Sequence, residues 1–428
     1  MSILRAMYAG VAGLAAESGA LGVVGDNVAN TSTIGFKQSR AVFADILGAA
    51  VGSHEPGSGV RMVRAQQIFG QGSIVNTGQA TDVALSGDGF LVTSGAVDGI
   101  QGTFYTRAGQ LTMRNDGTIV TPEGLAVQGY ASDGKGGFAS TVTDIKLPNN
   151  SVAPRATTSM KVSANLDANA TPPTAAWDPQ NPSATSNLST AVTVYDSLGS
   201  PHSLELYFRK TAAGSWDYHV LAKGAEVTGG TAGTNVEVAT GTLAFNGAGA
   251  LQTNTVTAGG TINFVGATAA QAVGLDFGKP IASGGTGTDG LTQFGSPSSI
   301  LAQSQDGYTS GSLSGVKIES DGTVNGVYTN GQSLAAGKLA VAKFRSNDGL
   351  GRAGHNLWIA TRDSGDAALG EVGSDGRAAL VAGSLEQSNV DLTTQFVELI
   401  AHQRSFQANS KTITTADQML QELMQIKQ

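Results

Sequence analysis

Gly285-Thr286-Gly287-Thr288-Asp289-Gly290 reproduces G-x-G-x-x-G, the spacing with which a glycine-rich turn presents backbone amides to a dinucleotide pyrophosphate. That chemistry needs a strand before the glycines and a helix after them. Gly and Ser precede this stretch and extended polar residues follow it, so the pattern predicts a flexible loop. The histidines His54, His202, His219, His355 and His402 form no H-x-H or H-E-x-x-H pair, although a hairpin would bring His202 and His219 face to face. Gly311-Ser312-Leu313-Ser314-Gly315 has Leu313 where a nucleophile elbow requires serine. Asp321, Asp348, Asp366 and Asp375 each neighbour a glycine without forming a calcium loop, and read as turns. With no cysteine in the chain, a disulfide framework, a thiolate zinc site, an iron–sulfur cluster and a cysteine nucleophile are all excluded. A hydrolase would need paired carboxylates, and Ala225 to Ile300 offers only Glu226, Glu237, Asp276, Lys279 and Asp289 as charged residues. The expectation is a protein that is not an enzyme and has no catalytic, cofactor-binding or metal-ligating residues.

The elements that would carry any such chemistry describe a different kind of protein. The 428 residues suggest about three domains. Charged residues make up 14% of the chain and glycines number 59, a balance of turns over charges that suits an all-β or filament-forming protein. A net charge of -8 with no run of Lys or Arg argues against nucleic acid as a partner and against a basic membrane-surface helix. No run reaches ~18 consecutive apolar residues, so no membrane insertion is predicted. Gly10, Gly13, Glu17, Gly19 and Gly22 interrupt the apolar stretch a cleaved signal peptide would need.

Both termini carry heptads. Leu4, Val11, Ser18 and Gly25 fall seven apart, and Met7, Leu14, Leu21 and Val28 follow each by three. At the other end Leu385, Leu392, Leu399, Phe406, Ile413 and Leu420 recur every seven residues, accompanied by Phe396 and Met424 but also by Gln403, Ser410 and Asp417. Asn389 to Lys427 contains no Gly or Pro, which predicts one helix capped by Asp391 or Asn389 and roughly 55–60 Å long, against ~40 Å for a helix from Ile3 to about Val28. Neither can bury its stripe alone. Residues 1–30 and 389–428 are therefore expected to form a helical coiled-coil domain, with Leu4, Met7, Val11, Leu14, Leu21, Val28, Leu392, Phe396, Leu399, Phe406, Ile413 and Leu420 as the assembly interface. Val397, Ile400, Leu423 and Ile426 lie off the seam and need cover from other copies of the chain.

The stretch from Gln66 to Val381 alternates like strands, for example Ala191-Val192-Thr193-Val194-Tyr195, and Asp116-Gly117 and Asp321-Gly322 are hairpin signals that place two similar hairpins in one sheet-rich domain. The fold class expected is multidomain: an α-helical coiled-coil domain made by both termini, with mainly-β, barrel- or sandwich-like middle and outer domains nested by insertion. Residues 31–75 and 365–388 are read as connector, 76–148 and 297–364 as an inner β domain, and 149–296 as an inserted outer β domain with a neutral surface.

Asn27-Val28-Ala29-Asn30-Thr31-Ser32-Thr33-Ile34-Gly35-Phe36-Lys37 resembles the N-terminal signature of the bacterial flagellar axial proteins, the rod and hook family, with Asn27, Ala29, Asn30, Gly35, Phe36 and Lys37 at the motif positions. In physical terms the asparagines cap and turn the helix end, Gly35 supplies a permissive φ and Phe36 anchors the next segment. Ala84 to Val92, Phe104 to Gly109 and Asn115-Asp116-Gly117 are similar to the β core of the distal rod and hook members. Ala191 to Tyr207, with Tyr195-Asp196-Ser197-Leu198-Gly199, resembles the outer domain that hook members have and the distal rod lacks. Ser388 to Leu392 and Gln403 to Asn409 resemble the C-terminal helix signature. The resemblance implies a subunit of a homopolymeric helical tube whose terminal helices line the inside. It also implies export through the flagellar type III apparatus with the N-terminus uncleaved, a place in the hook and basal body outside the cell, and the distal rod, hook cap and hook–filament junction proteins as partners. The alternatives are a distal rod subunit and an extracellular β-rich adhesin or binding module, and matched heptads at both termini disfavour the latter.

Overall fold

A computed structural model of the chain describes residues 3–47, 57–134, 136–147 and 151–426. His54, the composition break at Pro148 to Asn150, and the extreme ends of the two expected terminal segments at residues 1–2 and 427–428 lie outside the described residues. The chain forms two units, one of Met1–Asn150, Ser314–Val327 and Ser333–Gln428, the other of Ser151–Leu313 and Tyr328–Gln332.

In the first unit the N-terminal helix α1 spans Ile3–Ala29. It stops at Asn30: the Asn30 amide donates to Asp26 O at 3.1 Å in the i→i−4 pattern of the helix, and its Nδ2 adds a second bond to the same oxygen at 2.9 Å. Strand β1, Ser39–Leu47, and strand β2, Gly57–Gln67, follow as an antiparallel hairpin with an irregularity at Val42/Phe43. This ribbon lies within residues 31–75, which the sequence reads as connector. It lies on α1, where a Cβ on Gly19 would meet Met62 Sδ at 2.7 Å and one on Gly59 would meet Ala9 Cα at 3.2 Å. The C-terminal helix α2 spans Leu392–Ile426. Asp391 caps it as expected, its Oδ1 accepting the Thr394 amide at 2.9 Å.

Among the described residues a large sheet carries both Asp-Gly hairpins. At each turn the glycine has positive φ, +86° at Gly117 and +87° at Gly322, and the aspartate before it accepts the amide two residues on, from Thr118 at 3.1 Å and Thr323 at 2.9 Å. Phe90, Val92, Tyr105, Ala342, Phe344 and Trp358 pack the core of this unit, with Tyr105 and Phe344 edge to face at 4.8 Å.

The second unit has a five-stranded antiparallel sheet, in chain order from Leu188–Tyr195 to Leu251–Gly259, and a smaller sheet around Ser159–Asn165. Its core includes the fully buried Trp216, Tyr218, Phe208 and Leu206. The turn Asp196 to Ser200 is built by Asp196 Oδ1, which accepts the Leu198 and Ser200 amides at 2.8 and 2.9 Å. The outer domain runs further than 296. Ser299–Gln305 pairs antiparallel with Ser159–Asn165, so the segment to Leu313, read from sequence as inner domain, belongs to this unit.

Candidate assembly surface and its anchor

α1 and α2 run antiparallel, with Gly10 and Gly13 beside Ile413 and Asn409 and Glu17 Oε2 2.6 Å from His402 Nδ1. A Cβ on Gly10 would sit 2.9 Å from Ile413 Cγ1 and one on Gly13 2.6 Å from Asn409 Nδ2. The face α1 buries is therefore made of small residues: Gly10, Gly13, Ala16, Ala20, Val24 and Asn27. These recur at helical spacing, but they are not the bulky heptads picked out by sequence. Leu4 and Val11 are 56% and 54% exposed, while Met7, Leu14, Leu21 and Val28 are half-buried along one flank.

Seen in the fold, the exposed positions of α1 other than Arg5 make a second row: Leu4, Tyr8, Val11, Ala15, Ser18, Gly22, Gly25 and Ala29, separated by alternating four and three residues. The row tapers from bulky to small, and Cβ atoms added at Gly22 and Gly25 would touch nothing within 4 Å. On α2, Leu399, Ile413 and Leu420 are half-buried, and the companion heptad position is Gln395, His402, Asn409 and Ala416, one residue earlier than the polar trio expected. Leu392, Phe396 and Phe406 are instead exposed, as are Val397 and Ile400; the side chains of Leu423 and Ile426 lie outside the described residues. Leu4–Ala29 is long and apolar enough, by length and composition alone, to cross a membrane, although its glycines and Glu17 leave no unbroken apolar run of that length.

The motif that follows α1 anchors the helices to the β unit. Asn27 is fully buried; its Oδ1 accepts the Ser39 amide at 2.8 Å, and its Nδ2 donates to Ser39 O at 2.7 Å and to Gln395 Oε1 of α2 at 2.8 Å. It joins both helices and the ribbon rather than capping α1, a task left to Asn30. Gly35 has φ +70°, its amide donates to Glu386 O at 2.8 Å, and a Cβ there would lie 2.6 Å from Ala108 N, so glycine alone fits. Phe36 is 3% exposed.

Lys37 is wholly buried, and Glu386 is the reason it can be. The Lys37 ammonium donates to Glu386 Oε1 at 2.6 Å and to Gly70 O at 2.8 Å. Glu386 also accepts the Gly72 amide at 2.9 Å and Arg107 Nη1 at 3.3 Å, while Arg107 Nη2 donates to Gly87 O at 2.6 Å. Burial pushes the Lys37 ammonium and the Arg107 guanidinium below their ordinary pKa values, and the Glu386 carboxylate pulls both back. Asn389 completes the clasp, taking the Gln38 amide at 2.7 Å and donating to Ile68 O at 2.9 Å. Sequence reasoning missed Glu386 and Gln395; a lysine inside an otherwise small and apolar motif is the one signal that asks for a buried carboxylate.

Elsewhere the candidates for chemistry stay apart. His202 and His219 are not opposed across the hairpin: Val194 faces His202 and Tyr207 faces His219. His202 Nδ1 lies 3.0 Å from Glu226 and His219 Nδ1 2.5 Å from Glu237. The glycines at 285–290 are followed by the strand Leu291–Thr292, with no helix to receive a phosphate.

Four family models match the chain: flagella basal body rod protein at residues 7–37, flagellar hook protein FlgE/F/G D1 domain at 84–165, flagellar basal body protein FlaE D2 domain at 165–308, and flagellar basal body rod FlgEFG protein C-terminal at 381–426. The flagellar hook protein FlgE of Escherichia coli K12 is 34% identical over 420 residues, covering 97% of this chain and 98% of that protein. The chain belongs to the flagellar hook protein family. The Borreliella burgdorferi hook protein FlgE is 33% identical over 454 residues, covering 99% of this chain and all of its own. Among solved structures, the Helicobacter pylori flagellar hook protein FlgE2 shares the fold, with a TM-score of 0.52 at 16% identity over 73% of this chain and 100% of that one. The first and last family models, residues 7–37 and 381–426, each end or begin at the clasp, taking in Lys37 on one side and Glu386 on the other.

Proposed function

We propose that this hook-family protein is a structural subunit that self-assembles into the flagellar hook, a flexible tube passing torque from rod to filament. The observation that carries the reading is the exposed row of α1 from Leu4 to Ala29 together with the exposed Leu392, Phe396, Val397, Ile400 and Phe406 of α2. Two long helices that leave bulky apolar residues in water are incompletely buried by their own chain, and neighbouring copies supply the cover. In this reading α1 and α2 make a coiled-coil layer lining the tube, and the taper of the α1 row lets a second helix approach closely at Gly22 and Gly25. The β units, nested by insertion, face outward. The weakly charged outer unit supplies contacts that exchange as the tube bends, because no strong ion pair fixes one spacing. The distal rod, hook cap and hook–filament junction proteins join the ends of the tube. Subunits reach it through the flagellar type III export apparatus.

Sedimentation of the purified full chain over a concentration series tests the reading. Above a threshold concentration the protein is expected to pellet as tubes visible by negative-stain electron microscopy. A chain that remains monomeric at every concentration overturns it.

A further inference from the structure

The ribbon β1–β2 has two unlike faces. One packs on the helices, with Met62 against Gly19, Phe43 6.2 Å from the His402 ring, and Ser39 held by Asn27. Strand pairing sets Arg40 opposite Gln66, Val42 opposite Arg64 and Ala44 opposite Arg61, so the three arginines share the other face, and all three are exposed. Arg40 Nη2 donates to Gln66 Oε1 at 2.9 Å, and Gln66 Nε2 donates to Asp348 Oδ2 at 2.9 Å. Among the described residues Arg61 and Arg64 make no hydrogen bond or ion pair. Asp45, the described acid of the ribbon, falls opposite Val60 and is itself exposed, on the alternate side from the arginines.

We infer that the arginine face of β1–β2 docks on a carboxylate-bearing surface of a second copy of this chain, an inference that rests on the self-assembly reading above. The chain holds 33 acidic against 25 basic residues, so the other surfaces of a second copy are acidic on balance and complement the exposed guanidiniums of Arg61 and Arg64, whereas Arg40 is already engaged through Gln66 with Asp348. Guanidinium forks match carboxylates two bonds at a time, which fixes an angle as well as a distance. Two copies cannot pair through this face symmetrically, because arginine would meet arginine. The contact is therefore head to tail, ribbon on a different surface, and a head-to-tail contact propagates instead of closing. Its location agrees with that role, since the opposite face of the ribbon is seated on α1 and α2, the helices that carry the uncovered apolar rows.

The test uses the full chain and pelleting at about 0.05 M and about 0.5 M salt, where screening lengths differ several-fold. For Arg61→Glu/Arg64→Glu at low salt the threshold concentration for polymer should rise at least about tenfold, equivalent to about 1.4 kcal/mol per subunit. Arg61→Lys/Arg64→Lys should lie between that variant and the unmodified chain, and the unmodified chain should need more protein at high salt. Circular dichroism and thermal melting confirm folding; should the glutamate variant fail them, Arg61→Gln/Arg64→Gln takes its place, with a smaller rise and a flattened salt dependence expected. A threshold unchanged by the substitutions at low salt overturns the inference while leaving self-assembly standing. An unmodified chain that forms no polymer overturns self-assembly itself.

Discussion

Val11→Asp will abolish polymer while leaving the isolated chain folded. Val11 is 54% exposed in the single chain, so a carboxylate there stays in water and costs the helix almost nothing in propensity, since Val and Asp rank alike as helix formers. In a tube whose subunits cover the α1 row, the same carboxylate is buried without a cation, at several kcal/mol. Every subunit repeats that cost. At ~1.4 kcal/mol per decade, even ~3 kcal/mol raises the threshold concentration more than a hundredfold. Far-UV circular dichroism and melting temperature should be unchanged, and the pellet should be empty. The same substitution at Ala16, on the buried face of α1, should instead lower the melting temperature, which separates the two faces of one helix.

Glu386→Ala will strongly destabilise the first unit. It removes the acceptor of the Lys37 ammonium and of the Gly72 amide and the carboxylate paired with Arg107, leaving the buried Lys37 without a counter-charge and Arg107 with only the more distant Asp88. Breaking a buried pair from one side costs ~3–5 kcal/mol, and a unit of this size should melt roughly 10 °C lower. Lys37→Met should cost less, since Glu386 keeps Arg107 and the Gly72 amide. Equal losses from the two substitutions would mean the clasp is not a network. Differential scanning calorimetry reads both directly.

The helices were legible because α2 is a long stretch without Gly or Pro and its cap, Asp391, precedes it. The faces of α1 were not. A heptad search weights bulky side chains, whereas this helix packs through Gly10, Gly13 and Ala20 and turns Leu4 and Val11 outward. The motif around Asn27 and Lys37 could be recognised as a pattern, yet its function depends on Glu386 and Gln395, more than 340 residues away, and sequence spacing carries no sign of such contacts. The ribbon reads as connector for a related reason. Its outward face is arginine and glutamine, and its inward face answers to a helix rather than to a second sheet. The end of the outer unit was misplaced by composition, because Ser299–Gln305 is polar but pairs with Ser159–Asn165.

The central claim is that the exposed row of α1 is covered by neighbouring copies. A cryo-electron microscopy map of the tubes formed by the full chain, at a resolution that places side chains, measures this most directly. Leu4, Tyr8, Val11, Ala15, Ser18, Gly22, Gly25 and Ala29 should then lie against helices of other subunits, with the closest approach at Gly22 and Gly25. A tube in which this row faces open solvent, with subunits joined through the β units alone, would contradict the account.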